Sequence, residues 1–340
     1  MKCLIYSDVH FSQYSSILRS RGEKYSTRLE NLIQSVSWAE HLADEQACDA
    51  VINLGDFFDR PDIDPETMAA IQDVYFCDKP HIVLTGNHDA SISNLEFSSV
   101  QFFKALGARV ITSIEKESIN DFVDFYYVPY LTKENIKPLN EIVSGNKKKV
   151  IFSHNDIAGI QYGKFISQDG FNINDIKANC NLFLNGHLHN GGIIENLVLV
   201  GNLSGANFNE DGYRFKHYAY ILTINGSEIT LEPYLNPYAI SFYKLSINTD
   251  HDLNKITRLK SKSVISAVCN NRLLNKAEEL IRNNKDIIEH RLIATYYSST
   301  SEEGVDFKVE NHVQQFIDFV QTKIAPSDVL SEELTILSKE

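Results

Sequence analysis

Lys2-Cys3-Leu4-Ile5-Tyr6-Ser7-Asp8-Val9-His10 is an apolar run that stops at an Asp-x-His triplet. Cys3–Tyr6 reads as a buried strand, and the triplet falls just past its carboxyl end. Four more apolar runs end in the same way. Ala50–Leu54 leads into Gly55-Asp56-Phe57-Phe58-Asp59 and His81–Leu84 into Gly86-Asn87-His88-Asp89. Val150–Phe152 leads into Ser153-His154-Asn155, and Leu182–Leu184 into Gly186-His187-Leu188-His189. Short apolar runs bounded by turn residues fit buried strands. In an open α/β sheet, residues just beyond the carboxyl ends of adjacent strands share one rim, where ligands bind. The five clusters are therefore expected to meet in space.

Carboxylates, imidazoles and an amide brought together suit a pair of metal ions of mixed oxygen and nitrogen ligation. Side chains alternate with period two on an extended chain, so Asp8 and His10 share a side, as do His187 and His189. A glycine precedes three of the clusters, allowing a sharp turn or a close backbone approach. Such a pair of ions, about 3.5–4 Å apart, activates a water and neutralises charge on phosphoryl oxygens. Hydrolysis of a phosphodiester needs both, because an anionic nucleophile must reach an already anionic phosphorus.

With 340 residues the chain is long enough for one large domain and a smaller one. No apolar run reaches the roughly 18 residues of a bilayer span. The first strand starts at residue 2, leaving no room for a signal peptide, so an intracellular, cytoplasmic protein is expected. Five scattered cysteines without a C-x-x-C pair argue against a disulfide framework or zinc ribbon. Asn202-Leu-Ser204 and Asn225-Gly-Ser227 match the glycosylation pattern but mean nothing without secretion. A net charge of −13 argues against nucleic acid as partner, but the charge is segregated. Lys255–Arg291 holds nine Lys/Arg against four Asp/Glu, a net +5 that leaves −18 for the remainder. Ser301–Glu340 carries nine acids and three lysines. Segments so different in charge are expected to do different work.

Leu29, Leu32, Ile33 and Val36 predict a helix after a basic loop containing Arg19, Arg21, Lys24 and Arg28. Asp64-Pro65 predicts another helix start, with Asp as cap. Strand–helix alternation up to His81–Leu84 implies βαβ units. Closer strand succession over 122–130 and 192–234, with a hairpin at Asn225-Gly226, suggests two packed sheets. A second unit begins after about residue 240, with strand Ser263–Val268, helix Leu273–Ile288 and strand Arg291–Tyr297. The final segment shows helical spacing at Val313, Phe316, Ile317, Val320 and Ile324. Pro326-Ser327 interrupts it before Leu330, Leu334 and Leu337.

The five clusters, in order, resemble the calcineurin-like metallophosphoesterase superfamily, whose pattern is D-x-H, G-D-x-x-D, G-N-H-D/E, a lone His and G-H-x-H. The resemblance covers residues 1 to about 240. It implies a four-layer α/β/β/α sandwich. It implies one ion held by Asp8, His10, Asp56 and His189, and another held by Asp56, Asn87, His154 and His187. Asp56 would be the bridge. His88 would stabilise the transition state or protonate the leaving oxygen, a role suited to histidine. Asp59 would orient His88 through its carboxylate.

Within the superfamily the chain is similar to SbcD-type DNA repair and recombination nucleases of bacteria and phages. The resemblance rests on Gly-Asp-Phe-Phe-Asp with Pro61 and Pro65 after it, on Gly201-Asn202-Leu203-Ser204, on the basic unit and on the striped tail. It departs from the family at Phe11-Ser12, where Leu-Gly is usual, and at Gly201-Asn202, where Gly-Ser is usual. The resemblance implies a nuclease domain over 1–240, a small α+β DNA-capping domain over 241–300 and a helical tail over 301–340. That tail would bind an SbcC-type coiled-coil ATPase. It further implies two divalent ions, with manganese expected, DNA as substrate and a homodimer.

Rival readings stand beside this one. The other six histidines are most simply surface or core residues. Arg60 suits a phosphate contact but equally an ordinary loop charge, and Arg19 and Arg21 meet a DNA backbone or only solvent. The tail stripe fits its own domain as well as a partner. A phosphatase or small-molecule phosphodiesterase of the same superfamily is the alternative function. Against a serine/threonine phosphatase, the chain lacks G-D-x-H-G and has Asp89 in place of Glu. A non-catalytic adaptor is the third reading, opposed by the complete ligand set.

Overall fold

A computed structural model describes residues 1–15, 18, 22–91, 94–162, 165–210 and 212–295. The tail over 301–340, Arg19 and Arg21 lie outside these residues. In chain order the main strands are β1 (Lys2–Tyr6), β2 (Ala50–Asn53), β3 (His81–Leu84), β4 (Arg109–Ile111), β5 (Glu115–Ser118) and β6 (Val123–Val128). They continue with β7 (Lys148–Ser153), β8 (Leu182–Asn185), β9 (Gly192–Ile194), β10 (Leu197–Leu199), β11 (Tyr218–Asn225) and β12 (Glu228–Leu235). The last three are β13 (Ser241–Ile247), β14 (Ser263–Asn270) and β15 (Ile287–Thr295). The five runs that precede the clusters are β1, β2, β3, β7 and β8, each within two residues of its expected bounds.

Two six-stranded mixed sheets form the body, ordered β12-β11-β1-β2-β3-β4 and β9-β10-β8-β7-β6-β5. Strands β1, β2 and β3 run parallel, as do β6, β7 and β8. Their carboxyl ends therefore lie together in each sheet. Alternation along β1 shows how the layers form. Cys3 and Ile5 face the other sheet, in a core shared with Phe125, Tyr127, Val150, Phe152 and Leu184. Leu4 and Tyr6 face helix α1 (Thr27–Glu45), packing with Leu29, Leu32, Val36 and Ala39. On the far side of the second sheet, Ile151 and Phe183 pack with Leu139 and Ile176 from two short helices. The result is the four-layer α/β/β/α sandwich.

Helix α1 begins where the Ser26 side chain accepts from the Leu29 N–H, a typical cap. Leu32, fully buried, anchors its apolar stripe, and truncation to Ala there would cost about 2–5 kcal/mol. Helix α2 (Pro65–Ala70) starts with the Asp64 carboxylate accepting from the Glu66 and Thr67 N–H groups. The β11–β12 hairpin turns on Gly226 and Ser227, with Gly226 at φ +58°. Gly at the first loop position is the type II′ signature.

Residues 241–295 form a third sheet, three parallel strands in the order β13-β14-β15. One face packs Leu245, Ile265, Ala267 and Cys269 against Ile256, Ala277 and Ile281. At one end of the other face, Phe242 and Val264 meet Leu18, Ile240 and Phe208 of the body. Helix α3 (Leu274–Asn283) is shorter than the expected 273–288. Asn284 leaves the helix, and its amide donates to the Ile256 and Leu259 carbonyls. Ile287 and Ile288, whose spacing suits either periodicity, are then free to open β15. Among the described residues no helix is long and apolar enough to cross a membrane.

Candidate metal centre

Loops leaving β1 and β2 are zipped together by main-chain bonds: Asp8 N–H to Gly55 O at 3.1 Å and His10 N–H to Asp56 O at 3.0 Å. Asp8, His10, Asp56 and His187 all adopt left-handed backbone, with φ of +50°, +48°, +50° and +69°. Such backbone is uncommon for residues other than glycine and clusters at functional sites. Two glycines permit the convergence. A Cβ on Gly86 would lie 2.1 Å from Asp56 Oδ1, and one on Gly186 would lie 2.2 Å from Ser7 Oγ.

The structure brings all seven expected ligands together. Asp8, His10 and His189 offer donor atoms mutually within 4.8 Å, as do Asp56, His154 and His187. Asp56 lies between the two groups, its Oδ2 3.1 Å from His154 Nε2 and 3.9 Å from His10 Nε2. Asn87 Oδ1 is 3.2 Å from His154 Nε2 and 2.9 Å from His187 Nδ1. The Asp56 Oδ1 atom accepts from the His88 N–H at 2.8 Å.

Ring nitrogens turned away from the centre meet acceptors. His154 Nδ1 donates to the Leu54 carbonyl at 2.8 Å. His187 Nε2 faces Asp156 Oδ1 at 3.2 Å, and His189 Nδ1 faces Glu210 Oε1 at 3.3 Å. His10 Nδ1 lies 3.4 Å from Asp59 Oδ1 but makes no hydrogen bond among the described residues. Carbonyls and carboxylates accept only, so in the neutral His154, His187 and His189 rings the inner nitrogens carry lone pairs. This is the outer-shell arrangement of metal-ligating histidines. His10 Nε2 and His189 Nε2 point at each other across 2.9 Å, and the buried Asp8 Oδ1 has no hydrogen-bond partner among the described residues. Inward lone pairs on three rings and an orphaned carboxylate oxygen call for cations, so the donor set fits two divalent ions.

Burial would raise the Asp56 carboxyl, but the adjacent His154 overcomes this and holds it well below the carboxylate range. Burial would lower His154, yet Asp56 pushes it up to about 9. Burial likewise opposes charge on His189, whose pKa rises through its contact with Glu210. Burial, followed by the neighbouring Asp56, raises Asp89 to about 7. Asp89 accepts from the Gly86 and Phe58 N–H groups, both at 2.9 Å, and so ties the second cluster to the third.

His88 is exposed at the lip and donates from Nδ1 to the Asp59 carbonyl at 2.9 Å. Asp59 therefore meets His88 through its main chain, while its carboxylate turns to His10. Arg60 lies 4.4 Å over the Tyr14 ring and 3.7 Å from Asp59 Oδ2, behind two residues of the cavity wall and not itself part of the lining. That cavity, about 240 Å³, is lined by His10, Tyr14, Arg28, Asp59, His88 and His189 among others. Sequence reasoning gave Asp89 no role within its motif, missed Asp156 and Glu210, and left Arg28 among loop cations. Arg28 is buried in the wall and donates to the Gly205 carbonyl at 2.6 Å. Asp156 sits beside a motif and could have been suspected. Nothing in the sequence marks Glu210.

A two-sheet sandwich with this oxygen and nitrogen donor set at its strand ends defines a metal-dependent phosphoester hydrolase. The chain belongs to the calcineurin-like phosphoesterase family, whose sequence profile matches residues 1–194. Among solved structures it is similar to a dimetal phosphatase from Danio rerio, at 12% identity and TM-score 0.42 over 69% of this chain and 96% of that one. It is also similar to a predicted phosphoesterase from Streptococcus pneumoniae, at 13% identity and TM-score 0.30 over 70% and 91%. Comparison with curated proteins returns no match.

Proposed function

We propose that the protein is a manganese-dependent DNA nuclease subunit of the SbcD type, acting with a coiled-coil ATPase. The phosphoesterase chemistry is carried by one observation: four imidazoles with outer nitrogens facing acceptors and inner nitrogens aimed at Asp8, Asp56 and Asn87. Two divalent ions, when bound, supply charge neutralisation and water activation. Asp8, His10, Asp56 and His189 would hold one, and Asp56, Asn87, His154 and His187 the other. His88, anchored by Nδ1–H on the Asp59 carbonyl, would as the imidazolium donate its Nε2 proton to the leaving oxygen. Arg28 lines the cavity with a guanidinium suited to phosphate oxygens.

DNA as substrate is supported by the third sheet. Arg258, Lys260, Arg272, Arg282, Lys285 and Arg291 are exposed on this unit, whereas Lys255 and Lys276 are neutralised by Asp252 and Asp250. The unit docks on the loop that walls the cavity: Gly212 N–H donates to Phe242 O at 3.1 Å. Basic surface on a duplex positions through phosphates. On this reading 241–300 is a DNA cap, and the tail over 301–340 binds the ATPase within a homodimer.

The test is manganese-supported cleavage of linear and hairpin DNA by purified protein, with Asp56→Asn and His88→Ala as controls. Equal cleavage by those variants would sink the assignment. Turnover of a phosphoserine peptide or cyclic nucleotide with none on DNA would replace it by the phosphatase reading. Co-purification with a large coiled-coil ATPase tests the partner.

A further inference from the structure

The pattern seen at the metal centre recurs once more among the described residues, at the opposite rim. His81 opens β3 at its amino end, Glu40 lies on the buried face of α1, and Cys77 sits in the segment that enters β3. Their nitrogen, oxygen and sulfur donors lie mutually within 4.8 Å. His81 Nδ1 donates to the Lys79 carbonyl at 2.7 Å, so in the neutral ring Nε2 carries a lone pair. That lone pair faces Glu40 Oε2 at 2.9 Å. Cys77 Sγ lies 3.1 Å from the same oxygen, and the Tyr6 hydroxyl fixes Oε1 at 3.1 Å.

A ring lone pair facing a fully buried carboxylate requires a proton or a cation between them. A proton on His81 fills this place in one state, with the Cys77 thiol donating to Glu40. A divalent ion fills it in another, taking the thiolate as third ligand. Mixed sulfur, nitrogen and oxygen donors select borderline-soft ions of the zinc class. The backbone-anchored Nδ1 is the second-shell feature such sites use. His81 keeps 15% of its side-chain surface, so the cluster reaches the surface through its ring.

We propose that Glu40, Cys77 and His81 form a third, structural site for a zinc-class divalent ion, separate from the catalytic pair. Binding displaces two protons, one from the thiol and one shared by His81 and Glu40, and forms bonds to Sγ, Nε2 and Oε2. The ion then ties α1 to the segment entering β3, with no part in hydrolysis. The inference does not rest on DNA as substrate.

Sulfur distinguishes this site, since the catalytic centre offers only oxygen and nitrogen. Full-length protein titrated with cobalt(II) or cadmium(II) should develop a thiolate-to-metal charge-transfer absorption. Asp56→Asn should retain that band, Cys77→Ser should abolish it, and His81→Gln should weaken metal affinity at least tenfold. In the Asp56→Asn background, zinc should raise the melting temperature, and the added Cys77→Ser should remove the rise. A missing band in folded wild-type protein overturns the proposal, as does a band that survives Cys77→Ser. If Cys77→Ser fails to fold, unchanged affinity in His81→Gln overturns it equally.

Discussion

The two rims of the first sheet treat buried charge differently. At the carboxyl ends of β1, β2 and β3, acceptors crowd together without enough protons: His10 and His189 face each other, and Asp8 Oδ1 stands alone. At the amino end of β3, Glu40 is met by a hydroxyl, a thiol, a main-chain N–H and an imidazole. The first arrangement is costly until cations arrive. The second is stable with protons, and a metal must displace them. Buried polar groups need partners, and whether those partners are protons or metal ions separates catalysis from structural support.

That contrast can be broken most severely at Asp56. Asp56→Asn should abolish metal-supported hydrolysis, because both donor groups share this carboxylate. His88→Ala should lower kcat by roughly 10²–10⁴-fold with the melting temperature unchanged, as its ring is exposed. Glu210→Gln should weaken metal binding about 10–100-fold while the fold persists, read from the manganese dependence of activity. At the opposite rim, Glu40→Ala should cost about 2–3 kcal/mol in urea denaturation and leave activity per folded molecule intact. A loss of activity there without a loss of stability would erase the distinction between the rims.

The smallest effect is a pH slope. Burial would lower His81, but its bond to Glu40 raises its pKa above the ordinary value. A raised histidine contributes stability fully below its unfolded pKa of about 6.5, and loses it as pH rises through the folded pKa. Denaturation in chelator from pH 6 upward should show this decline, and His81→Gln should flatten it.

The helices and strands were readable for different reasons. Helix α1 and the five motif-bearing strands followed from periodicity, because each buries a continuous apolar face. Helix α3 was overextended because Ile287 and Ile288 suit either structure, and only the Asn284 contact with Ile256 and Leu259 stops the helix. The motif residues were readable because they recur at fixed offsets from strand ends. Asp59 was only half readable: its residue type was clear, but its carboxylate turns to His10 and leaves His88 to the main chain.

By itself the chain determined the layered fold and the convergence of the seven candidate ligands and His88, since local spacing and strand polarity bring those residues to one rim. Tertiary structure alone decided which groups support them. Glu210 reaches His189 only because the loop after β10 folds back, and Arg28 enters the cavity wall only because α1 docks beside that loop. Glu40, Cys77 and His81 converge only once α1 packs on the first sheet. Contacts of this kind join residues tens to nearly two hundred positions apart, and no local pattern encodes them.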